Sequence, residues 1–174
     1  QGELATDKVV TGSKSQHIKI SAGQGLVSHI WGPGCFIGGN VHFISVWICV
    51  SSSITKNITG FSNPYSEIHF IGNVTLNQFS KCYVSVTPPD NNSIFLRVQF
   101  ADNTAQNDVW YDGAMVVNLT RMGTLPPPLK EYFNNVPSTW ADLATESNIA
   151  AIDGKVQSGN AWLNDLLPYV NGVG

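Results

Sequence analysis

Five side chains of this chain combine the chemistry that a sugar needs: Trp47, Tyr83, Arg97, Gln99 and Trp110. Alternation along the expected strands puts each on the side opposite its apolar neighbours. A sugar presents flat, weakly apolar C–H faces ringed by hydroxyls. Trp and Tyr offer a rigid plane to the first, and Arg and Gln offer directional hydrogen bonds to the second. The five are therefore the candidate carbohydrate-binding set. The same aromatics would also serve to pack under a loop or against a neighbouring subunit.

Other chemistries find less support. Asp108 and Asp112 lie an even number of residues apart, so one strand face carries both. A glycosidase needs two carboxylates facing each other across a bond, about 5–9 Å apart. Two residues of one strand do not straddle a substrate, and Glu67, Asp90 and Asp102 have no recognisable catalytic setting. No catalytic residue is assigned. His17, His29, His42 and His69 show neither HxH nor HxxxH spacing. Cys35, Cys49 and Cys82 form neither a CxxC site nor a disulfide framework, and are expected as free thiols. There is no GxGxxG and no GxxxxGK[ST]; Gly23, Gly25, Gly38 and Gly39 read as turn glycines. Four N-x-[ST] sequences begin at Asn57, Asn73, Asn91 and Asn118, as an Asn- and Thr-rich chain produces by chance.

Composition narrows the class. Charged residues make up 12% of the 174, about half the usual share for a soluble domain, while hydrophobic residues make up 43%. Sixteen Gly and nine Pro mark many turns. That balance fits an all-β domain with one core and argues against a helical bundle. The net charge of −3 gives no basic field for DNA or RNA, so no nucleic acid is expected. No apolar run approaches the ~18 residues of a membrane span, so no membrane insertion is expected. The start at Gln1 is that of a processed end or a piece of a longer protein.

Strands are expected over 17–20, 26–31, 41–51, 66–71, 73–79, 81–86, 93–101 and 109–119, with a loop over 51–64 that holds one short strand near Ile58. In the best of them Ile44, Val46, Ile48 and Val50 share one face, and Phe43, Ser45, Trp47 and Cys49 the other. Residues 93–101 place Ile94, Leu96, Val98 and Phe100 inside and Phe95, Arg97 and Gln99 outside. In 109–119, Val109, Tyr111, Gly113, Met115, Val117 and Leu119 alternate with Trp110, Asp112, Ala114, Val116 and Asn118. A proline run then announces a short helix over 129–134. Short strands at roughly 8–12-residue spacing are the pattern of a two-sheet sandwich.

The stretch from Trp110 to Thr120, Trp-Tyr-Asp-Gly-Ala-Met-Val-Val-Asn-Leu-Thr, resembles the closing strand of jelly-roll domains in bacteriophage tail fibres and receptor-binding proteins. Those strands read aromatic-Asp-x-aliphatic-aliphatic-Val-Asp-Leu-Thr, and a Gly-rich loop with a proline and a helix follow. Here Asn118 stands where the family has an aspartate. The loop keeps Gly123 and Pro126 but lacks a second glycine and an acidic residue. Residues 42–134 carry the resemblance. It implies a jelly-roll β-sandwich, similar also to carbohydrate-binding modules of secreted glycosidases. Related sandwiches hold a structural calcium with loop oxygens, which makes Asp112 the candidate metal ligand; no other cofactor is expected.

The tail differs in kind. Ile149, Ile152, Val156, Gly159, Leu163, Leu166 and Val170 alternate steps of three and four, a coiled-coil seam whose first heptad favours trimers or tetramers. Gly154 and Gly159 each weaken it by ~1 kcal/mol, and Pro168 ends it. A single amphipathic helix is the other reading, and the resemblance favours a trimer. The expected organisation is a lead-in segment 1–14, a jelly-roll sandwich 15–137 and a helical, oligomerising segment 138–174. The expected function is that of a non-catalytic adhesin at the tail fibre or tail tip of a virion, outside the cell. Its partners would be a host cell-surface polysaccharide, two further copies of the chain and other virion tail proteins. The alternative is a connector domain of the fibre that binds no ligand.

Overall fold

The structure, a computed structural model, describes residues 2–24, 26–31, 34–62, 65–91, 94–125, 127 and 138–144. The chain divides into two compact units, Gln1–Asn118 and Leu119–Gly174. The first holds nine strands: β1 (Gly2–Ala5), β2 (Ser15–Ile20), β3 (Leu26–Trp31), β4 (His42–Val50), β5 (Ile54–Ser62), β6 (Tyr65–His69), β7 (Ser80–Val86), β8 (Ile94–Phe100) and β9 (Asn107–Asn118). They form a five-stranded sheet in the order β1-β2-β9-β4-β7 and a four-stranded sheet in the order β3-β8-β5-β6. Every strand pairing is antiparallel. The β1–β2 and β5–β6 pairs are neighbours in sequence and in sheet, and every other connection crosses between the sheets. This is the jelly-roll β-sandwich expected from the strand pattern and the resemblance.

The inner faces meet in one apolar core. Ile44, Val46, Ile48 and Val50 of β4, Val84 and Val86 of β7, and Val109 and Tyr111 of β9 come from one sheet. Ile94, Leu96, Val98 and Phe100 of β8 and Phe61 of β5 come from the other. Their alternation is the period-two signal read in the sequence. It puts Phe95, Arg97 and Gln99 on the outer face of β8, as expected.

Four expectations need correction. The strand expected near Ile58 is present but is no short piece of a loop: it is the nine-residue β5, which takes up most of 51–64. Its register turns Asn57, Thr59 and Phe61 inward, and Lys56, Ile58 and Gly60 outward. Ile54 also packs against the core, so two of the four inward residues are polar, which hides most of the strand from a hydrophobicity pattern. Residues 73–79 form no strand beyond a single bridge between Leu76 and Val50. Asn77 there has a φ of 57°, a left-handed conformation that breaks an extended run. Residues 2–5 are the edge strand β1, three of whose four residues are exposed, so they show no period. Lastly, β9 does not alternate from end to end. Its register with β4 slips between Ser45 and Trp47, a bulge at which Gly113 has a φ of 53°. Val109 and Tyr111 face the core before the slip, and Val116 packs against it afterwards.

The connection from β1 to β2 crosses the outer face of the five-stranded sheet as a strap. Asp112 anchors it. Its Oδ2 accepts the N–H groups of Val10 at 2.5 Å and Thr11 at 2.9 Å, and its Oδ1 accepts the Thr11 hydroxyl at 2.9 Å. The Gly113 N–H also donates to Oδ1, at 2.6 Å. Burial works to raise the Asp112 pKa, but these donors outweigh it and hold the carboxyl below its ordinary 3.8.

In the second unit Leu119–Met122 form a short helix, where the sequence led us to extend the strand through Leu119. Thr139 and Asp142 close a capping box: Asp142 accepts the Thr139 N–H at 2.9 Å, and the Thr139 hydroxyl accepts the Asp142 N–H at 3.1 Å. The helix expected over 129–134 and the heptad seam from Ile149 to Val170 lie outside the described residues.

Asp112→Ala strips the strap of its anchor and leaves partly buried N–H groups without their acceptor. A loss of about 1–3 kcal/mol in unfolding free energy is expected in urea denaturation. A loss below experimental error would mean that the strap holds without this carboxylate.

Candidate functional site

The outer face of the four-stranded sheet is assembled from three adjacent strands. Tyr65, Glu67 and His69 alternate along β6, Lys56, Ile58 and Gly60 along β5, and Phe95, Arg97 and Gln99 along β8. Cross-strand register sets Glu67, Gly60 and Phe95 in one row and His69, Ile58 and Arg97 in the next. Ile58 is fully buried although it lies on this outer face. The longer side chains around it therefore cover the floor of the site.

Gly60 is the space on which the site is built. A Cβ there would stand 2.3 Å from Cζ of Phe95 and 2.8 Å from the backbone oxygen of Ser66. The Phe95 ring lies across this gap and stacks with Tyr65, their centroids 5.8 Å apart and their planes at 19°. Tyr65 nonetheless stays 57% exposed, a large aromatic plane offered to solvent. Its hydroxyl donates to Oε1 of Glu67 at 2.6 Å and accepts from the Arg97 guanidinium at 3.1 Å. The Lys56 ammonium donates to Oε2 of Glu67 at 3.3 Å. Arg97 also lies 4.6 Å from the Phe95 centroid and 5.9 Å from that of Tyr65, within cation–π range of both rings.

Electrostatics follow the contacts. The Tyr65 hydroxyl, and then Lys56, hold the Glu67 carboxyl below its ordinary 4.5. The same hydrogen bond to Glu67 is the main cause that pushes the Tyr65 phenol above its ordinary 10.0. Tyr65 thus remains a neutral donor and Glu67 an ionised acceptor at neutral pH.

The structure divides the five expected binding residues between the two sheets. Arg97 and Gln99 belong to the face just described. Trp47, Tyr83 and Trp110 stand on the outer face of the five-stranded sheet. Trp110 is 7% exposed, stacked on His17 with centroids 4.4 Å apart and planes at 5°, and overlaid by the Lys8 ammonium at 4.0 Å. Tyr83 is buried beside Phe43, with centroids 6.3 Å apart. Trp47 is half-buried, and its Cδ1 would stand 3.0 Å from a Cβ at Gly113. Trp110 thus packs under a loop, the second use its chemistry allowed.

The carboxylates of that face are occupied. His17 places Nε2 at 2.9 Å from Asp108 and Nδ1 at 3.1 Å from Glu3, linking β9, β2 and β1. Lys19 reaches Glu3 at 2.7 Å and is the main cause that holds the Glu3 carboxyl low. Asp112, the candidate calcium ligand, has both oxygens committed to the strap. Among the described residues no group of three or more His, Cys, Asp or Glu side chains could hold a metal ion. His42 is buried, accepts the Ile37 N–H at 3.3 Å and lies 2.9 Å from the Asn40 oxygen, and burial lowers its pKa. The three cysteines are free, Cys35 exposed and Cys49 and Cys82 buried.

Tyr65, Glu67 and Lys56 were missed in the sequence. Tyr65 and Glu67 sit on a short, almost wholly exposed edge strand, and Lys56 on a strand expected only as a short piece near Ile58. The available signal was the outward alternation of Tyr65, Glu67 and His69.

No family model matches the chain, and no curated protein matches it. The chain is similar to several solved structures. The CBM22-1–GH10 modules of Clostridium thermocellum endo-1,4-beta-D-xylanase 10B, complexed with xylohexaose, match with a TM-score of 0.50 and 13% identity, over 71% of this chain and 25% of that one. A xylan-binding domain of CBM 22 matches at 0.48 and 20% identity, over 68% and 81% of the two chains. The enzymatically active domain of bacteriophage CBA120 tailspike protein 4 matches at 0.46 and 11% identity, over 67% and 17%. The first of these supports the fold: a jelly-roll sandwich like those of carbohydrate-binding modules. No helix among the described residues is long and apolar enough to cross a membrane.

Gly60→Ala forces the Phe95 ring off its seat against an unyielding backbone oxygen. A loss of about 1–3 kcal/mol in denaturant unfolding is expected, together with a shifted Tyr65 ring resonance. Unchanged stability would show that the ring relocates without cost. Glu67 gives a second test. Its carboxyl is held low, so its anchoring of Tyr65 is present above the ordinary value of 4.5 and is lost as pH falls through the lower folded value. The acid transition of the Tyr65 ring signals in NMR should have its midpoint below pH 4.5; a midpoint at or above 4.5 would rule out this anchor.

Proposed function

We propose that this chain is a non-catalytic carbohydrate-binding domain, an adhesin of a viral tail fibre that recognises host-surface polysaccharide through the Tyr65–Arg97 face. One observation carries the reading: Tyr65 is more than half exposed while its ring is stacked on Phe95 and its hydroxyl is held by Glu67 and Arg97. An exposed aromatic plane with a fixed polar rim is what a pyranose ring needs. Arg97 and Gln99 remain site residues in this proposal, joined by Tyr65, Phe95, Glu67 and Lys56. Trp47, Tyr83 and Trp110 are left to hold the opposite face together. The jelly-roll fold is compatible with the reading but does not carry it, because sandwiches host many roles.

The tail-fibre assignment draws on the closing-strand resemblance from Trp110 to Thr120. The heptad seam from Ile149 to Val170 supports a trimer with further tail proteins as neighbours. Three copies on one axis would raise avidity well above single-site affinity. The second reading, a connector without ligand, draws on the burial of Tyr83 and Trp110.

The test is binding of the full chain to an array of bacterial polysaccharides, with Tyr65→Ala and Trp47→Ala alongside. Binding that falls about tenfold or more in Tyr65→Ala and survives in Trp47→Ala is the expected result. Loss in Trp47→Ala alone would move the site to the other sheet. No binding by the unaltered chain would favour the connector.

A further inference from the structure

We infer that the Tyr65–Arg97 face takes an acidic sugar, a uronate, in preference to a neutral one. The inference rests on the glycan-binding reading above and names its ligand class.

The first observation is charge. The chain as a whole carries −3. Among the described residues the outer positions of β5, β6 and β8 carry two cations, Lys56 and Arg97, against one carboxylate, Glu67. The residues of β3 in register with β8 add no charge there, since Leu26, Ser28 and Ile30 pair with Gln99, Arg97 and Phe95. A face of the opposite sign to its molecule draws anionic ligands and turns away cationic ones.

The second observation is where that carboxylate points. Both Glu67 oxygens are turned into the cluster, one to the Tyr65 hydroxyl and one to the Lys56 ammonium. Glu67 therefore orders the site, and the Lys56 ammonium beside it offsets its charge, which leaves Arg97 as the unbalanced charge of the face.

The third is the placement of Arg97. Its guanidinium lies over Phe95 and touches the rim of Tyr65 through the hydroxyl, so a ring stacked on Tyr65 has its edge beside this group. A uronate carries its carboxylate on that ring edge, where a neutral hexose carries a hydroxymethyl. The planar guanidinium matches a carboxylate in shape and charge, and such charge-assisted bonds are about twice as strong as neutral ones. Stacking on an aromatic ring also holds the guanidinium in one plane, which lowers the entropy lost on binding.

The experiment titrates the full chain with polygalacturonate, alginate and hyaluronate, each beside its carboxyl-reduced, neutral counterpart. Dextran sulfate serves as an anion without carboxylates. At least one uronan should bind about tenfold more tightly than its reduced form, and salt should narrow the gap. Arg97→Gln, verified as folded by its thermal transition, should close the gap, and Arg97→Lys should restore only part of it.

Equal binding of a uronan and its reduced form overturns this inference and leaves glycan binding standing. Dextran sulfate bound as tightly as the best uronan overturns it as well, because charge alone would then explain the attraction. A gap unchanged in Arg97→Gln overturns the placement at this face. Binding to none of these polymers and to no glycan on the array removes the parent reading and this one together.

Discussion

The pairing of β4 with β9 carries a single extra residue, and the use of both sheet faces depends on it. Side chains alternate with a period of two, so a slip of one residue exchanges inside for outside. With β9 in unbroken register from Met115 opposite Ser45, Tyr111 would stand opposite Cys49 and point out, and Asp112 would point into the apolar core. The bulge at Gly113 prevents this: Asp112 faces outward opposite Trp47, and Tyr111 turns inward. Burial there pushes the Tyr111 phenol far above its ordinary 10.0, so it stays neutral in the core. Glycine suits the bulge twice over, through its positive φ and through the closeness of the Trp47 indole.

Asp112 in its outward position holds the strap, and the strap decides the fate of the aromatics beneath it. Trp110 lies between His17 and Lys8, a cation–π contact on a ring that offers 7% of its surface to solvent. An indole so covered stabilises the sheet and is closed to a ligand. Among the described residues no such strap lies over β6 in the four-stranded sheet. Its outer face keeps a large aromatic in the open and surrounds it with charged groups, in a chain where only 12% of residues are charged. The two sheets share one core and differ in what they do with their second faces.

That difference was only half legible in the sequence. The period-two pattern places the strands of the core, and β3, β4, β7 and β8 lie within about one residue of where it puts them. Arg97 and Gln99 were readable as outward residues because Ile94, Leu96, Val98 and Phe100 define the inward side without ambiguity. Trp47, Tyr83 and Trp110 also point outward. Alternation reports the side of a sheet, however, and does not report what lies over it. The strap is a non-local fact, set by contacts between Val10, Thr11 and Asp112 about a hundred residues apart in the chain. β5 was legible only as a short strand near Ile58, for a local reason: Asn57 and Thr59 face inward and the apolar Ile58 faces out. What was missed was its full length and its pairing, which place Lys56 and Gly60 beside β6 and so set the surroundings of Tyr65.

Tyr65 then shows how a weakly charged surface gains directionality. An exposed tyrosine on an edge strand would ordinarily sample several rotamers, and a ligand would have to bear the cost of fixing one, roughly 0.5–1.5 kcal/mol. Here the cost is met on folding. Phe95 supports the ring from one side because Gly60 leaves room for it, and Glu67 and Arg97 fix the hydroxyl from two directions. Lys56 in turn keeps the Glu67 carboxylate in place and ionised. Each contact at this exposed site is worth little alone, because water screens it. Their joint effect is geometric: they hold one aromatic plane and one guanidinium in a fixed relation, and that relation rather than their number gives the face its selectivity.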